Sequence, residues 1–289
     1  MTSTEVQPDV RSMKGASETT PWALDRLPPF PAVAMRLIQM YANPDVDITE
    51  IGRTIAMEPV FASRVLQLAN SPLFAARAAV KSLSHAIVLL GLNRVKAITI
   101  TRAMADYVTP VMKVEALRAC WRNSLAAAIL CEKLARACKM DPDFAYVAGL
   151  VRDIGRIALL VKYPEAYANM LAVTEDNSFN LLAVEQDLFE VNHCQAGAWL
   201  LEQSSFPAEL REVVAWHHET LETNPFRMIN LVHVADMMTD TLGFPVIEHG
   251  ERRSFESLLE LLPDGARARF PDDAEALAEE VGERILSWQ

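Results

Sequence analysis

The chain has 289 residues, of which 51% are hydrophobic, 22% charged and only 7% aromatic, a globular balance with enough length to bury a sizeable core. Its formal charge of −11, with Lys and Arg scattered among acidic residues, excludes a basic footprint for phosphate backbones, so no direct nucleic-acid contact is expected. The cysteines Cys120, Cys131, Cys138 and Cys194 lack paired CxxC spacing and read as small core hydrophobes, while charges and Gly break every long apolar segment, so a soluble, cytoplasmic protein without membrane contact is expected.

Residues 1–20 are rich in Ser, Thr and Glu without hydrophobic periodicity and are predicted to be a disordered tail. From Pro21 onward the apolar spacing is helical and no stretch keeps a two-residue alternation, so the fold class is all-α. Val33, Leu37, Met40 and Tyr41 share one face of a first helix, closed by Asn43-Pro44-Asp45. Asp47 with Glu50 predicts a capping box before Ile48, Ile51 and Ile55, and Pro59 opens a helix that buries Phe61, Val65, Leu68 and Ala69. Ser82 caps a helix carrying Leu83, Ile87 and Leu90; Gly91 ends it, and Val95 and Ile98 begin the next.

A longer helix runs through Leu117, Trp121, Leu125 and Ala128, and Asp141-Pro142 then starts one that carries Phe144, Val147, Val151, Ile154 and Ala158. Pro207 precedes Leu210 and Val214, and Asn224-Pro225 precedes MINLVHVADMM, which is apolar nearly all round and therefore central. Two amphipathic helices follow, one with Phe255, Leu258, Leu259 and Leu262, the other with Leu277, Val281, Ile285 and Trp288, whose Glu-rich remainder reads as a solvated face. No repeat, Gly-rich phosphate loop, GxSxG or HExxH is present, so any chemistry comes from dispersed residues.

The segments LPPFPAVAMRLIQ, DITEIGRTIAMEPVFASRVLQLANSPLF and SLSHAIVLLGLNRVK follow one another with the order and spacing of the HDOD domain, which the chain resembles. Asn70-Ser71 and the Ala86-Ile87…Leu90-Gly91-Leu92 helix exit are the most specific parts, and the likeness continues through WRNSLAAAILCEKLA, YVAGLVRDIGRIALL, FEVNHCQAGAWLL and FPAELREVVAWHH. Glu58 departs from the Asp usual before the Pro but keeps an acid ahead of the helix. The resemblance implies an HD-like helical bundle with an N-terminal helical subdomain: an HDOD domain over 21–245, divided into 21–108 and a degenerate HD-like part over 109–245, then a C-terminal helical extension over 246–289.

HD phosphohydrolases hold divalent metals through a His, a His-Asp pair and a later Asp, and the resemblance lays these positions on Asn123, Arg152-Asp153 and Asp236. An Asn is a weak neutral donor, and Arg152 brings a permanent positive charge to the place of a cation, so catalysis at this centre is not expected. Resemblance to the HD-GYP phosphodiesterases suggests a second donor set, Asp153, His193, His217 and His218, suited to a divalent transition metal. The simpler expectation for each is structural. Arg152 is predicted to meet Asp153 or Asp236 in a guanidinium-carboxylate cluster with Asn123, and His193 to bond a neighbouring carboxylate. His217 and His218, adjacent on a helix, are expected to point about 100° apart and need not serve one centre. His85, His233 and His249 read as capping or packing residues, and Trp121, Trp199 and Trp216 as core anchors.

The resemblance then implies no enzyme and no cofactor, but a bacterial signal-transduction module acting on a protein partner such as a kinase, receptor or regulator, with a homodimer among the arrangements it allows. Two other readings stay open: a residual metal-dependent phosphohydrolase of nucleotides or cyclic dinucleotides, and a nucleotide or metal sensor without hydrolysis, with Arg94, Arg152 or Arg156 supplying positive charge.

Overall fold

Prolines and side-chain caps start several helices where the sequence places them. In a computed structural model, the protein is described over residues 20–25, 27–29, 35–36, 48–57, 59–70, 79–177, 179–204, 206–219, 225–247 and 252–286. The N-terminal elements are α1 (Ile48–Ala56), α2 (Pro59–Ala69), α3 (Leu83–Leu90) and α4 (Leu92–Val108). Ser82 Oγ accepts the His85 N–H of α3 at 3.2 Å. Gly91, at a φ of 83° that favours glycine, turns the chain by 114° into α4. The Asn70 side chain ties the end of α2 to Val80, donating to its carbonyl at 2.9 Å and accepting its N–H at 2.7 Å.

The HD-like part follows as α5 (Glu115–Cys138), α6 (Pro142–Val151), α7 (Ile154–Lys162), α8 (Pro164–Asn177), α9 (Leu181–Phe189), α10 (His193–Gln203), α11 (Ala208–Trp216) and α12 (Met228–Thr241). Asp141 caps α6 by accepting from the N–H groups of Asp143 and Phe144, at 2.9 and 3.1 Å. Helix α5 packs against α6, α7, α8 and α12, so it is buried well beyond the stripe of Leu117, Trp121, Leu125 and Ala128. The nearly apolar α12 is central, as its sequence requires. All described secondary structure is helical, which establishes the all-α class. Among the described residues, no single helix is long and apolar enough to cross a membrane.

The structure departs from the sequence reading in two helices. The pattern from Phe144 to Ala158 is not one helix: it breaks at Arg152-Asp153, where Asp153 takes φ −98° and ψ 22°, so two short helices carry the expected stripe. The stripe from Phe255 to Leu262 outlasts its helix: α13 (Phe255–Leu259) ends in a turn ahead of Pro263, with Leu262 still buried, and α14 (Asp264–Arg267) and α15 (Ala274–Leu286) follow. The first-helix residues Val33, Leu37, Met40 and Tyr41, the Asn43-Pro44-Asp45 turn, residues 1–19 of the tail, Asp47, Glu58, Ser71, Asn224, His249 and Trp288 lie outside the described residues.

The C-terminal extension docks on α5. The Glu132 carboxylate accepts from Arg94 of α4 at 2.8 Å, from Arg136 of its own helix at 2.9 Å and from Arg284 of α15. Burial works against its charge, but these guanidiniums lower its pKa to about 2. Lys133 meets Glu280 at 2.6 Å, and Arg269 Nε donates to the Ala137 carbonyl at 2.8 Å, closing the C-terminal end of α5.

Candidate functional site

The break between α6 and α7 aims Arg152 and Asp153 into the space between α5 and α12. Arg152 is fully buried. Its Nε donates to Asp236 Oδ1 at 2.8 Å, Nη1 to the Gly149 carbonyl at 3.2 Å, and Nη2 to Asn123 Oδ1 while lying 3.1 Å from Asp153 Oδ2. Asn123 turns its amide outward, donating to Thr239 Oγ1 at 2.9 Å and the Phe244 carbonyl at 2.8 Å. Burial opposes the charges here, yet they sustain one another: Asp153 and Asp236 keep Arg152 protonated, and Arg152 lowers Asp236 to about 2. All four predicted positions, Asn123, Arg152, Asp153 and Asp236, thus meet around one guanidinium.

Backbone contact fixes the second half of the site. A Cβ on Gly155 would fall 2.0 Å from the His193 carbonyl oxygen and 2.4 Å from Gly197 N, so only glycine lets α7 and α10 approach this closely. That approach brings His193 beside Asp153. An Asn192/Gln195 capping box starts α10, and the Glu185 carboxylate receives both the His193 N–H at 2.8 Å and Nδ1 at 2.7 Å. His193 therefore does bond a neighbouring carboxylate. Tyr167 donates to the same Glu185.

His217 and His218 correct the expected divergence: α11 ends at Trp216, so both lie in the following turn, their ring centroids 4.2 Å apart. Both face His193, with centroids 5.6 and 5.0 Å from it. His193 Nε2 lies 3.0 Å from His218 Nε2 and 3.3 Å from Asp153 Oδ1, and His217 Nε2 lies 3.5 Å from the same oxygen. The expected ligand-capable set does converge.

Two atoms of this set test whether it suits a metal. His217 Nδ1 faces the Val214 carbonyl at 3.1 Å, which assigns the hydrogen to Nδ1 and leaves a lone pair on Nε2. That Nε2 and Asp153 Oδ1 are buried without a hydrogen bond, although they face each other. Two acceptors so placed call for a cation or an extra proton. Burial disfavours that proton, but Cys194 and Asp153 raise the His217 pKa to about 10. His193, Cys194, His217 and His218 each bring a donor atom within 4.8 Å of the others, and Asp153 Oδ1 stands 3.3 Å from His193 Nε2 and 3.5 Å from His217 Nε2, close to the edge of about 3.3 Å of a tetrahedral site with bonds near 2.0 Å. This half of the site therefore fits one transition-metal ion, in competition with Arg156, whose Nη2 lies 3.1 Å from His193 Nε2 and 3.4 Å from Asp153 Oδ1. The Asn123-Arg152 half does not fit, since a guanidinium fills it.

The HDOD domain pattern matches residues 27–220. The chain belongs to the HDOD domain family. Among solved structures, it is similar to an HDOD domain protein from Geobacter sulfurreducens, at 25% identity and a TM-score of 0.69, covering 91% of each chain. It is also similar to a candidate phosphohydrolase from Shewanella amazonensis SB2B, at 23% identity and a TM-score of 0.65 over 91% of this chain and 94% of that one. A candidate signal transduction protein from Marinobacter aquaeolei VT8 follows, at 18% identity and a TM-score of 0.66 over 95% and 61%. The last two likenesses show the fold alone. A curated relative, an uncharacterized protein of Treponema pallidum (strain Nichols), is 19% identical over 197 residues, 68% of this chain. The chain spans only 38% of that relative's length.

In this HDOD domain, several residues around the site escaped the sequence reading. Glu185 and Tyr167 had no signal beyond helical spacing, and Arg156 shows its role only once α7 is a separate helix. Cys194 is more than a core filler. Burial raises its pKa, but His193 and His217 bring it down to about 6, and its Sγ lies 4.0 Å from His217 Nδ1. His85 neither packs nor caps with its side chain, which is exposed on a short helix; only its backbone N–H takes part. His233 Nδ1 lies 2.7 Å from the His217 carbonyl, supporting the turn. Trp121 is buried, whereas Trp199 and Trp216 are half-buried.

Proposed function

We propose that this HDOD chain is a non-catalytic signalling module that acts in the cytoplasm by binding a protein partner such as a kinase, receptor or regulator. The observation that supports it is Arg152: a buried guanidinium joins Asn123, Asp153 and Asp236, the positions on which the resemblance lays the metal ligands of HD phosphohydrolases. A paired metal centre needs cations there to polarise a phosphoryl group and activate water, and a fixed positive charge opposes their entry. Exposed apolar side chains on the N-terminal helices, Met57 at 71% and Val88 at 69%, offer surface for protein contacts. The test is turnover of cyclic dinucleotides and nucleotide monoesters by protein purified without chelator, with manganese, iron, nickel or magnesium added. No turnover above background is expected; metal-dependent turnover lost in His217→Ala would overturn the reading.

A second reading has its own support in the facing acceptors Asp153 Oδ1 and His217 Nε2. It places one transition-metal ion on Asp153, His193, His217 and His218. Such an ion acts as a Lewis acid when bound, while Glu185 orients His193 through Nδ1 and Arg156 competes for the same lone pairs. Elemental analysis separates the two readings: metal at one equivalent, lost in His193→Ala, supports the single-ion site, and its absence leaves a proton on His217.

A further inference from the structure

A cavity of about 210 Å³ lies against the arginine-filled centre. Its polar lining includes Arg156, His218, Asp236 and Asp240. Phe179 and Leu181 at the start of α9, with Val246 and Ile247 beyond α12, supply apolar lining. Phe179 is 53% exposed, so this side reaches solvent.

The charges of the centre offset one another: Arg152 and Arg156 stand against Asp153 and Asp236. Asp240 stands one turn beyond Asp236 on α12. Its carboxylate has no hydrogen bond or ion pair among the described residues; burial and the neighbouring Asp236 push it up to about 6, against the field of Arg152, Arg156 and Arg252. Arg156, only 5% exposed, has the opposite vacancy: Nη2 alone is engaged, and the buried Nε has no partner. A buried N–H without an acceptor costs on the order of 1–3 kcal/mol. The cavity therefore lacks a hydrogen-bond acceptor beside Arg156 and a cation beside Asp240, with apolar surface near both.

We propose that this cavity binds a free α-amino acid with an apolar side chain. The ligand carboxylate faces Arg156, the ammonium faces Asp240, and the side chain lies against Leu181, Val246 and Ile247. The volume, 210 Å³, is below the roughly 300–1,000 Å³ of drug-sized pockets, which limits the ligand to about ten heavy atoms. A zwitterion also leaves the net charge of the centre unchanged. The site would give the signalling module a small-molecule input, whether or not its metal positions are active.

Isothermal titration calorimetry of the full chain tests the proposal, with leucine, methionine and valine as probes, and 4-methylpentanoate and leucinamide as controls lacking the ammonium and the carboxylate. Saturable binding of at least one free amino acid is expected, with both controls weaker by about tenfold or more. Asp240→Asn, an exposed and conservative change, is expected to weaken binding by a similar factor, and Val246→Trp to abolish it by filling the cavity. Should Val246→Trp fail to fold, Asp240→Asn still decides. No saturable binding of any free amino acid at millimolar concentration would overturn the proposal, as would unchanged affinity in Asp240→Asn or leucinamide binding as tightly as leucine.

Discussion

Replacing Arg152 by Ala removes a fully buried guanidinium and leaves two carboxylates, Asp153 and Asp236, without their shared partner. Orphaning a buried charge in this way costs about 3–5 kcal/mol, so that loss of unfolding free energy is expected in urea titrations followed by circular dichroism. In a chain of this length the same loss lowers the melting temperature by roughly 5 to 8 °C. Because uncompensated charge is the cause, adding Asp236→Asn to Arg152→Ala should recover a large part of the loss. The pH dependence has a fixed sign. Arg152 holds the Asp236 carboxyl at about 2, below its ordinary 3.8, so the stabilisation is complete above 3.8 and disappears as pH falls through 2. The gap between wild type and Arg152→Ala should therefore narrow on acidification. A loss below about 1 kcal/mol at neutral pH, or no recovery on adding Asp236→Asn, would refute the argument that this cluster is a buried charge network.

The double variant Asn123→His with Arg152→His supplies two neutral imidazoles and removes one buried charge; it should bind more divalent metal than wild type, which elemental analysis checks, and a folded variant with unchanged metal content would count against the assignment of these positions. Glu132→Gln should weaken docking of the C-terminal helices by about 2 kcal/mol, read as faster hydrogen exchange in α15 than in α6. In wild type the same docking should hold above pH 4.5 and fail as pH falls through 2, because Glu132 is held at about 2 instead of 4.5. Gly155→Ala should destabilise by about 3 kcal/mol or more, since its methyl meets backbone atoms and no flexible side chain can give way; a near-neutral effect would show that α7 and α10 can separate.

Much of the fold was legible because its signals are local. Ser82, Asp141 and the opening prolines mark helix starts through backbone donors within a few residues, and the apolar stripe of α12 announces its burial. The break at Arg152-Asp153 was not legible, since apolar spacing runs through it and tertiary contacts alone turn Arg152 toward α5 and α12. At the site, Arg152, Asn123 and both aspartates could be placed together because a family pattern links positions 29 and 84 residues apart. Glu185 and Arg156 could not. Their roles depend on which acceptors stand opposite, a relation that one-dimensional spacing does not carry. The misjudged angle between His217 and His218 has the same origin: it assumed a helix that ends one residue earlier.

The meeting of Gly155 with the His193 carbonyl and Gly197 has a consequence for how such a centre tolerates change. The separation of Asp153 from His193 is set by main-chain atoms in contact, not by the side chains around them. Like a jig that keeps its shape when the workpiece is changed, this junction holds its positions whatever residue stands at position 152. Side chains at positions 123 and 152 can then be exchanged without collapse of the cavity wall.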